Sequence, residues 1–284
     1  MSATTVQFTT TSGVTVEGDV RGDPAAPVAL LLHGGGQTRH AWGATAATLA
    51  AGGWRTVALD ARGHGRSGWP DDADYSLTAF ATDLHDVIQH LGDGAHPVLI
   101  GASLGGLTSL LLEGELWPGT ARAIAFVDVG PRLESEGTER IQRFMDQPDG
   151  FGSLDEAADA IAAYNPHRER PSDLRGLMKN LRLGDDGRYR WHWDPAFMTG
   201  GRGPSEVSDL ARLQRCASGL RCPALVVRGR MSDVLSEAGA REFLDLVPHA
   251  RYADVSGAGH MVAGDRNDAF TTELVAFLDD LPGV

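Results

Sequence analysis

Pro97-Val98-Leu99-Ile100-Gly101-Ala102-Ser103-Leu104-Gly105 runs an unbroken apolar stretch into a small-residue turn, and an apolar helical run from Leu104 to Leu112 leaves it. A Gly-x-Ser-x-Gly pattern by itself says little in a chain with 36 glycines. Its surroundings give it weight. A buried strand that turns sharply into a helix forces the central residue into strained backbone geometry, and only small flanking residues tolerate the close approach. Ser103 is therefore expected at the tip of a strand–turn–helix elbow, its hydroxyl projecting beyond the strand end, where open sheets bind ligands. The competing reading is a structural serine in a glycine-rich turn, which would need no strand before it or helix after it.

The same alternation extends in both directions. Thr4–Thr10 and Val14–Val20 read as an antiparallel hairpin around Ser12-Gly13. Continuous apolar runs at 28–32, 56–59, 98–100, 123–127 and 224–227 suit strands covered on both faces, with a last strand at 250–255. Helical patterns fall near 38–51, 77–91, 104–113, 237–246 and 269–281. Strands alternating with helices predict an α/β fold with a mostly parallel eight-stranded sheet flanked by helices. Between Asp128 and Pro223 the rhythm stops, while large apolar side chains accumulate: Phe144, Met145, Phe151, Tyr164, Trp191, Trp193 and Phe197. A loop that long needs structure of its own. It reads as an inserted, mainly helical cap over 131–217, on a core made of 1–130 and 218–284.

A hydroxyl nucleophile needs a base, and the base an orienting acid, in the chain order Ser, acid, His for this kind of sheet. His260, in Ser256-Gly257-Ala258-Gly259-His260-Met261, lies past the last strand and is the expected base. Asp233, a few residues after the strand at 224–227, is the expected acid. Asp128, at the end of the preceding strand, is its competitor. Backbone donors for an oxyanion are expected at Leu104, heading its helix, and in His33-Gly34-Gly35-Gly36, with Gly35 first and Gly36 next. His33 itself reads as a loop support. Trp191, Trp193, Phe144 and Met261 are candidates for a substrate wall, the two tryptophans sharing a side of an extended segment; the bland alternative is a small cap core.

Together, His33-Gly34-Gly35-Gly36, Asp60-Ala61-Arg62-Gly63-His64-Gly65-Arg66-Ser67, the Ser103 turn, Asp233 and His260 resemble the α/β-hydrolase superfamily. Within it the likeness is to small bacterial esterases, enol-lactonases and cofactor-free haloperoxidase-like serine hydrolases. The resemblance implies cleavage of carboxylic esters or lactones through an acyl-enzyme on Ser103, without cofactor or metal. It also implies that Asp60–Ser67 is a structural turn. Carbon–carbon bond hydrolysis and perhydrolysis use the same groups and stay open, as does a slow-turnover ligand receptor. Epoxide hydrolases and haloalkane dehalogenases are disfavoured, since both need a carboxylate where Ser103 stands.

Composition narrows the partners. A net charge of −13 opposes binding to nucleic acid or anionic membranes. Gly63-His64-Gly65-Arg66-Ser67-Gly68 fits a dinucleotide fingerprint literally, but Trp69-Pro70 prevents the helix that would hold a pyrophosphate. The Thr-rich start does not read as a signal peptide and no apolar run is long enough to span a bilayer. Cys216 and Cys222 suit reduced thiols, so a cytoplasmic protein acting on a small molecule is expected. Whether it is a monomer or a homodimer stays open.

Overall fold

A computed structural model describes residues 2–92, 94–147, 149–166, 170, 172–199, 209–265 and 267–282. The opening hairpin pairs β1 (Thr4–Thr9) with β2 (Thr15–Arg21), and β2 continues antiparallel onto β4 (Arg55–Leu59). From there every pairing is parallel, through β3 (Val28–Leu32), β5 (Val98–Ala102), β6 (Ala123–Val127), β9 (Ala224–Gly229) and β10 (Arg251–Val255). The sheet is eight-stranded in the order β1-β2-β4-β3-β5-β6-β9-β10.

Side chains of successive strand residues point to opposite faces, and the central strands are apolar at every position because both faces are covered. Leu30, Leu99, Ile124, Phe126 and Val226 pack on one side with α2 (Leu77–His90), α3 (Leu104–Leu111) and α8 (Glu237–Leu246). Ala29, Leu31, Val98, Ile100, Ala125 and Val127 pack on the other with α1 (Gly43–Ala51), the short α9 (Val262–Asp265) and α10 (Asn267–Asp279). The helices start where polar caps dictate. Ser76 Oγ accepts the Ala79 N–H at 3.2 Å before α2, and Ser236 Oγ accepts the Gly239 N–H at 3.0 Å before α8.

Between β6 and β9 lie α4 (Ser135–Met145), α5 (Leu154–Tyr164), β7 (Leu181–Leu183), β8 (Tyr189–Trp191), α6 (Ala196–Thr199) and α7 (Leu210–Gly219). This insertion is less purely helical than its sequence suggests. β7 and β8 form a small antiparallel hairpin, reversed at Asp185-Asp186-Gly187, where Gly187 takes a φ of 76°. α7 packs against α3 and α8 on the flank of the main sheet. No helix among the described residues is long and apolar enough to cross a membrane.

Candidate active site

Ser103 sits between β5 and α3 with φ 47° and ψ −115°, a left-handed conformation that a non-glycine residue adopts only when its surroundings enforce it. Three contacts do so. Its N–H donates to the Val127 carbonyl at 3.2 Å, and its own carbonyl accepts the N–H groups of Gly106 (2.9 Å) and Leu107 (3.0 Å). The flanking glycines are required by space. A Cβ on Gly101 would lie 2.5 Å from the Gly105 backbone, and one on Gly105 would lie 2.4 Å from the Leu32 carbonyl oxygen. The elbow read from the sequence is thus built as expected, at the carboxyl ends of the parallel strands.

One strand over, Asp128 closes β6 with another forced left-handed φ of 51° and is wholly buried. Its carboxylate accepts the Gly229 N–H at 2.8 Å, the Ser232 hydroxyl in a short contact, and the His260 Nδ1–H at 2.8 Å. Since Nδ1 donates to Asp128, Nε2 of His260 is the bare nitrogen, the form a general base needs. His260 hangs from the loop after β10. That loop is stitched to the one after β9 by the Arg230 N–H on Val255 O (3.0 Å) and the Met231 N–H on Ala258 O (2.9 Å).

The expected acid is elsewhere. Asp233 makes no hydrogen bond to His260; it grips Arg140 of α4 in a two-pronged ion pair, Nε to Oδ2 at 2.6 Å and Nη2 to Oδ1 at 2.8 Å. Arg140 also lies over the Tyr164 ring, 4.5 Å from its centroid. The guanidinium holds the Asp233 carboxyl below the usual carboxylate range. The geometry therefore corrects the sequence expectation: Asp128, not Asp233, orients the imidazole. The physical reason is that Asp128 stands directly at a strand end, while the turn Arg230–Ser232 carries Asp233 outward to Arg140 on α4. Only the pairing of Asp233 with Arg140, invisible in the sequence, separates the two.

Of the three glycines in the loop after β3, two have their N–H groups committed among the described residues. The Gly34 N–H is taken by Gln37 Oε1 (3.0 Å) and the Gly36 N–H by His64 Nε2 (3.1 Å). The Gly36 N–H is therefore already engaged. Among the described residues no acceptor pairs with the Gly35 N–H or with the Leu104 N–H at the head of α3. Ser103 Cβ lies 3.2 Å from where a Gly34 Cβ would be, which sets this loop against the elbow. His33 acts as the loop support expected of it. Its Nδ1 donates to Gly34 O at 2.8 Å and its Nε2 accepts the Ala61 N–H at 3.0 Å.

The insertion covers the loop. Phe197 lies 3.5 Å from a Cβ built on Gly35, and Met145 and Trp193 lie 3.0 and 3.2 Å from one built on Gly36. Trp191 stacks on Trp193, with centroids 5.1 Å apart and 15° between planes, so the two rings share a side as their spacing implies. Trp191 is one layer further out, against Phe144 and Phe151, and Phe144 stacks on Tyr164 at 4.1 Å. Met261 lies beside the same loop, its sulfur accepting from Gln37 Nε2 at 2.8 Å. Met145 and Phe197 belong to this wall as closely as Trp193 does. Their apolar character in a long charged insertion was the available signal. The Asp60–Ser67 turn is structural: Gly65 has φ 56°, and a Cβ there would lie 2.1 Å from the Asp60 carboxylate.

The sequence pattern of the α/β-hydrolase fold matches residues 27–266, and the chain belongs to that family. It is a hydrolase of that fold. It is 32% identical over 265 residues to an esterase of Mycobacterium tuberculosis, covering 90% of this chain and 84% of the relative. It is 30% identical over 250 residues to a 3-hydroxybutyrate-oligomer hydrolase of Cupriavidus necator, covering 84% of each. The crystal structure of an E-2-(acetamidomethylene)succinate hydrolase superposes with a TM-score of 0.84 over 98% of this chain and 99% of that one, at 23% identity, a likeness of fold alone.

Proposed function

We propose that the protein is a serine hydrolase of carboxylic esters or lactones, with Ser103 as nucleophile, His260 as general base and Asp128 as the acid that orients it. The observation that carries this reading is the Asp128–His260 hydrogen bond at the strand end beside the strained Ser103 elbow. In the first step His260 Nε2 takes the Ser103 proton as Oγ attacks the carbonyl carbon. The Gly35 and Leu104 N–H groups hold the oxygen that becomes negative, being preorganised donors with no competing acceptor among the described residues. The imidazolium, compensated by Asp128, returns the proton to the departing alkoxide. Water, activated by the same nitrogen, then attacks the acyl-enzyme and frees the acid and Ser103.

The substrate's apolar part is assigned to the wall of Met145, Trp193 and Phe197, with Trp191, Phe144 and Met261 behind or beside it. The names of the esterase and oligomer-hydrolase relatives favour ester cleavage over carbon–carbon cleavage with the same groups. In the same proposal, the inserted elements between β6 and α7 are a cap that selects substrate. A small-molecule substrate and a cytoplasmic site of action fit the acidic charge and the free thiols of Cys216 and Cys222. Incubation with a fluorophosphonate followed by peptide mass spectrometry, alongside a panel of aryl esters and lactones, tests the reading. An adduct on Ser103 with ester turnover is expected; an adduct on another serine, with activity surviving Ser103→Ala, would refute it.

A further inference from the structure

Three buried histidines surround the oxyanion loop and take no part in proton transfer: His33, His64 and His192, with ring centroids 5.2 Å (His33–His64) and 5.9 Å (His64–His192) apart. Their hydrogen bonds fix their tautomers. His64 Nε2 accepts the Gly36 N–H, so its proton is on Nδ1, which donates to the Arg62 carbonyl at 2.9 Å. A peptide unit is planar and trans, so holding one end sets the direction of the other. His33 holds the Gly34 carbonyl and thereby turns the Gly35 N–H to the opposite side. The next unit, between Gly35 and Gly36, has no side chain to keep it from flipping, and Gly36 already has a φ of 73°. The Gln37 N–H on Gly34 O (3.1 Å) closes the turn around that unit, and the His64 acceptor sets which way it faces.

We propose, resting on the serine-hydrolase reading, that His64 is a positioning residue for the oxyanion donor. By accepting the Gly36 N–H it locks the Gly35–Gly36 peptide plane, and the inserted segment buttresses it through His192 and Phe197. The buttress is built. Phe197 meets the His64 ring edge-on at 4.7 Å. His192 Nδ1 accepts the Gly65 N–H at 2.6 Å, and next to it the Asp194 N–H donates to Gly63 O at 2.9 Å while its carboxylate accepts the Tyr75 hydroxyl at 2.7 Å. The segment that carries the tryptophan wall thus docks on the turn that carries His64. Only a neutral imidazole can accept at Nε2, and burial holds the His64 pKa well below its ordinary value.

The test compares H64Q with H64M in the full-length chain; both side chains fill the space, but only Gln offers an oxygen near the Nε2 position. Three quantities are read with an aryl acetate: kcat, KM and the affinity of a trifluoromethyl ketone, which adds Ser103 to its carbonyl and leaves an oxyanion. H64M should lose on the order of 10–100-fold in kcat and a similar factor in ketone affinity, with KM within about threefold, a fraction of the loss seen when an oxyanion donor is deleted outright. H64Q should recover most of both. Should H64M not fold, H64N replaces it, because its shorter side chain leaves the Gly36 N–H unmatched. Equal kcat and ketone affinity in the Gln variant and in its acceptor-lacking partner overturn the proposal. If wild-type protein neither turns over the ester nor binds the ketone at Ser103, the serine-hydrolase reading falls and this inference falls with it.

Discussion

The ends of β6 and β9 lie side by side and each is followed by an aspartate, yet the two carboxylates live in different worlds. Asp128 is sealed from solvent and held by a backbone N–H, a serine hydroxyl and His260. Asp233 is about a third exposed and spends both oxygens on Arg140. A buried carboxylate with three donors is preorganised to compensate an imidazolium, whereas one already neutralised by a guanidinium has little field left to offer. Adjacent strand ends can therefore supply the same residue type while only one is chemically available. The other becomes a fastener between the insertion and the core.

The largest expected effect concerns what both aspartates serve. Ser103→Ala should lower kcat by at least about a thousandfold with the thermal midpoint nearly unchanged, read in steady-state ester hydrolysis. The comparison itself is broken or upheld by the next pair. Asp128→Asn should cost on the order of a thousandfold in kcat, because the imidazolium is left uncompensated and the wrong tautomer is favoured. Asp233→Asn should cost less than about tenfold. The opposite ranking would return the acid role to Asp233 and require Arg140 to let go during turnover.

Smaller effects separate the layers of the insertion. Trp193→Ala should depress kcat/KM for bulky esters by about 1–3 kcal/mol more than for an acetate ester, as expected for a ring against the reacting centre. Trp191→Ala, one layer out and packed on Phe144 and Phe151, should lower the thermal midpoint more than it alters that selectivity. Parallel losses on small and bulky esters in both variants would place the two tryptophans in a packing core and remove the wall.

Acid titration distinguishes the histidine cluster from the Asp233 clamp. Burial lowers the pKa values of His33 and His64, and pushes that of His192 down to about 4. The unfolded chain thus binds protons near pH 6.5 that the folded chain refuses, so stability is full above that point and falls as pH drops toward 4. Asp233 has the opposite origin but loses stability in the same direction: its depressed pKa contributes stability above the ordinary carboxylate value, lost only as pH falls through the lower folded one. Thermal melts from pH 7 to 3 should show the first decline in wild type and in Asp233→Asn alike, with the variant sparing only the lowest segment. A flat midpoint between pH 6.5 and 4.5 would mean that the histidines do not stay neutral in the fold.

Much of this architecture is written in local pattern. Apolar runs of strand length alternating with helical repeats determine the parallel sheet, and the glycines around Ser103 determine the elbow, since each is a consequence of covalent geometry and two-sided burial within a few residues. His260 was legible for the same reason, being the histidine on a glycine-bearing loop past the last strand. The choice between Asp128 and Asp233 was not, because it depends on partners from two separate segments, Gly229 and Ser232 at the end of β9 and Arg140 on α4. Sequence placed Gly35 ahead of Gly36, but the physical difference between them is an imidazole at His64, which only the folded turn brings to the Gly36 N–H. Local sequence fixes what a residue is able to do; which of two equal candidates does it depends on the partners that tertiary packing has already assigned to the other.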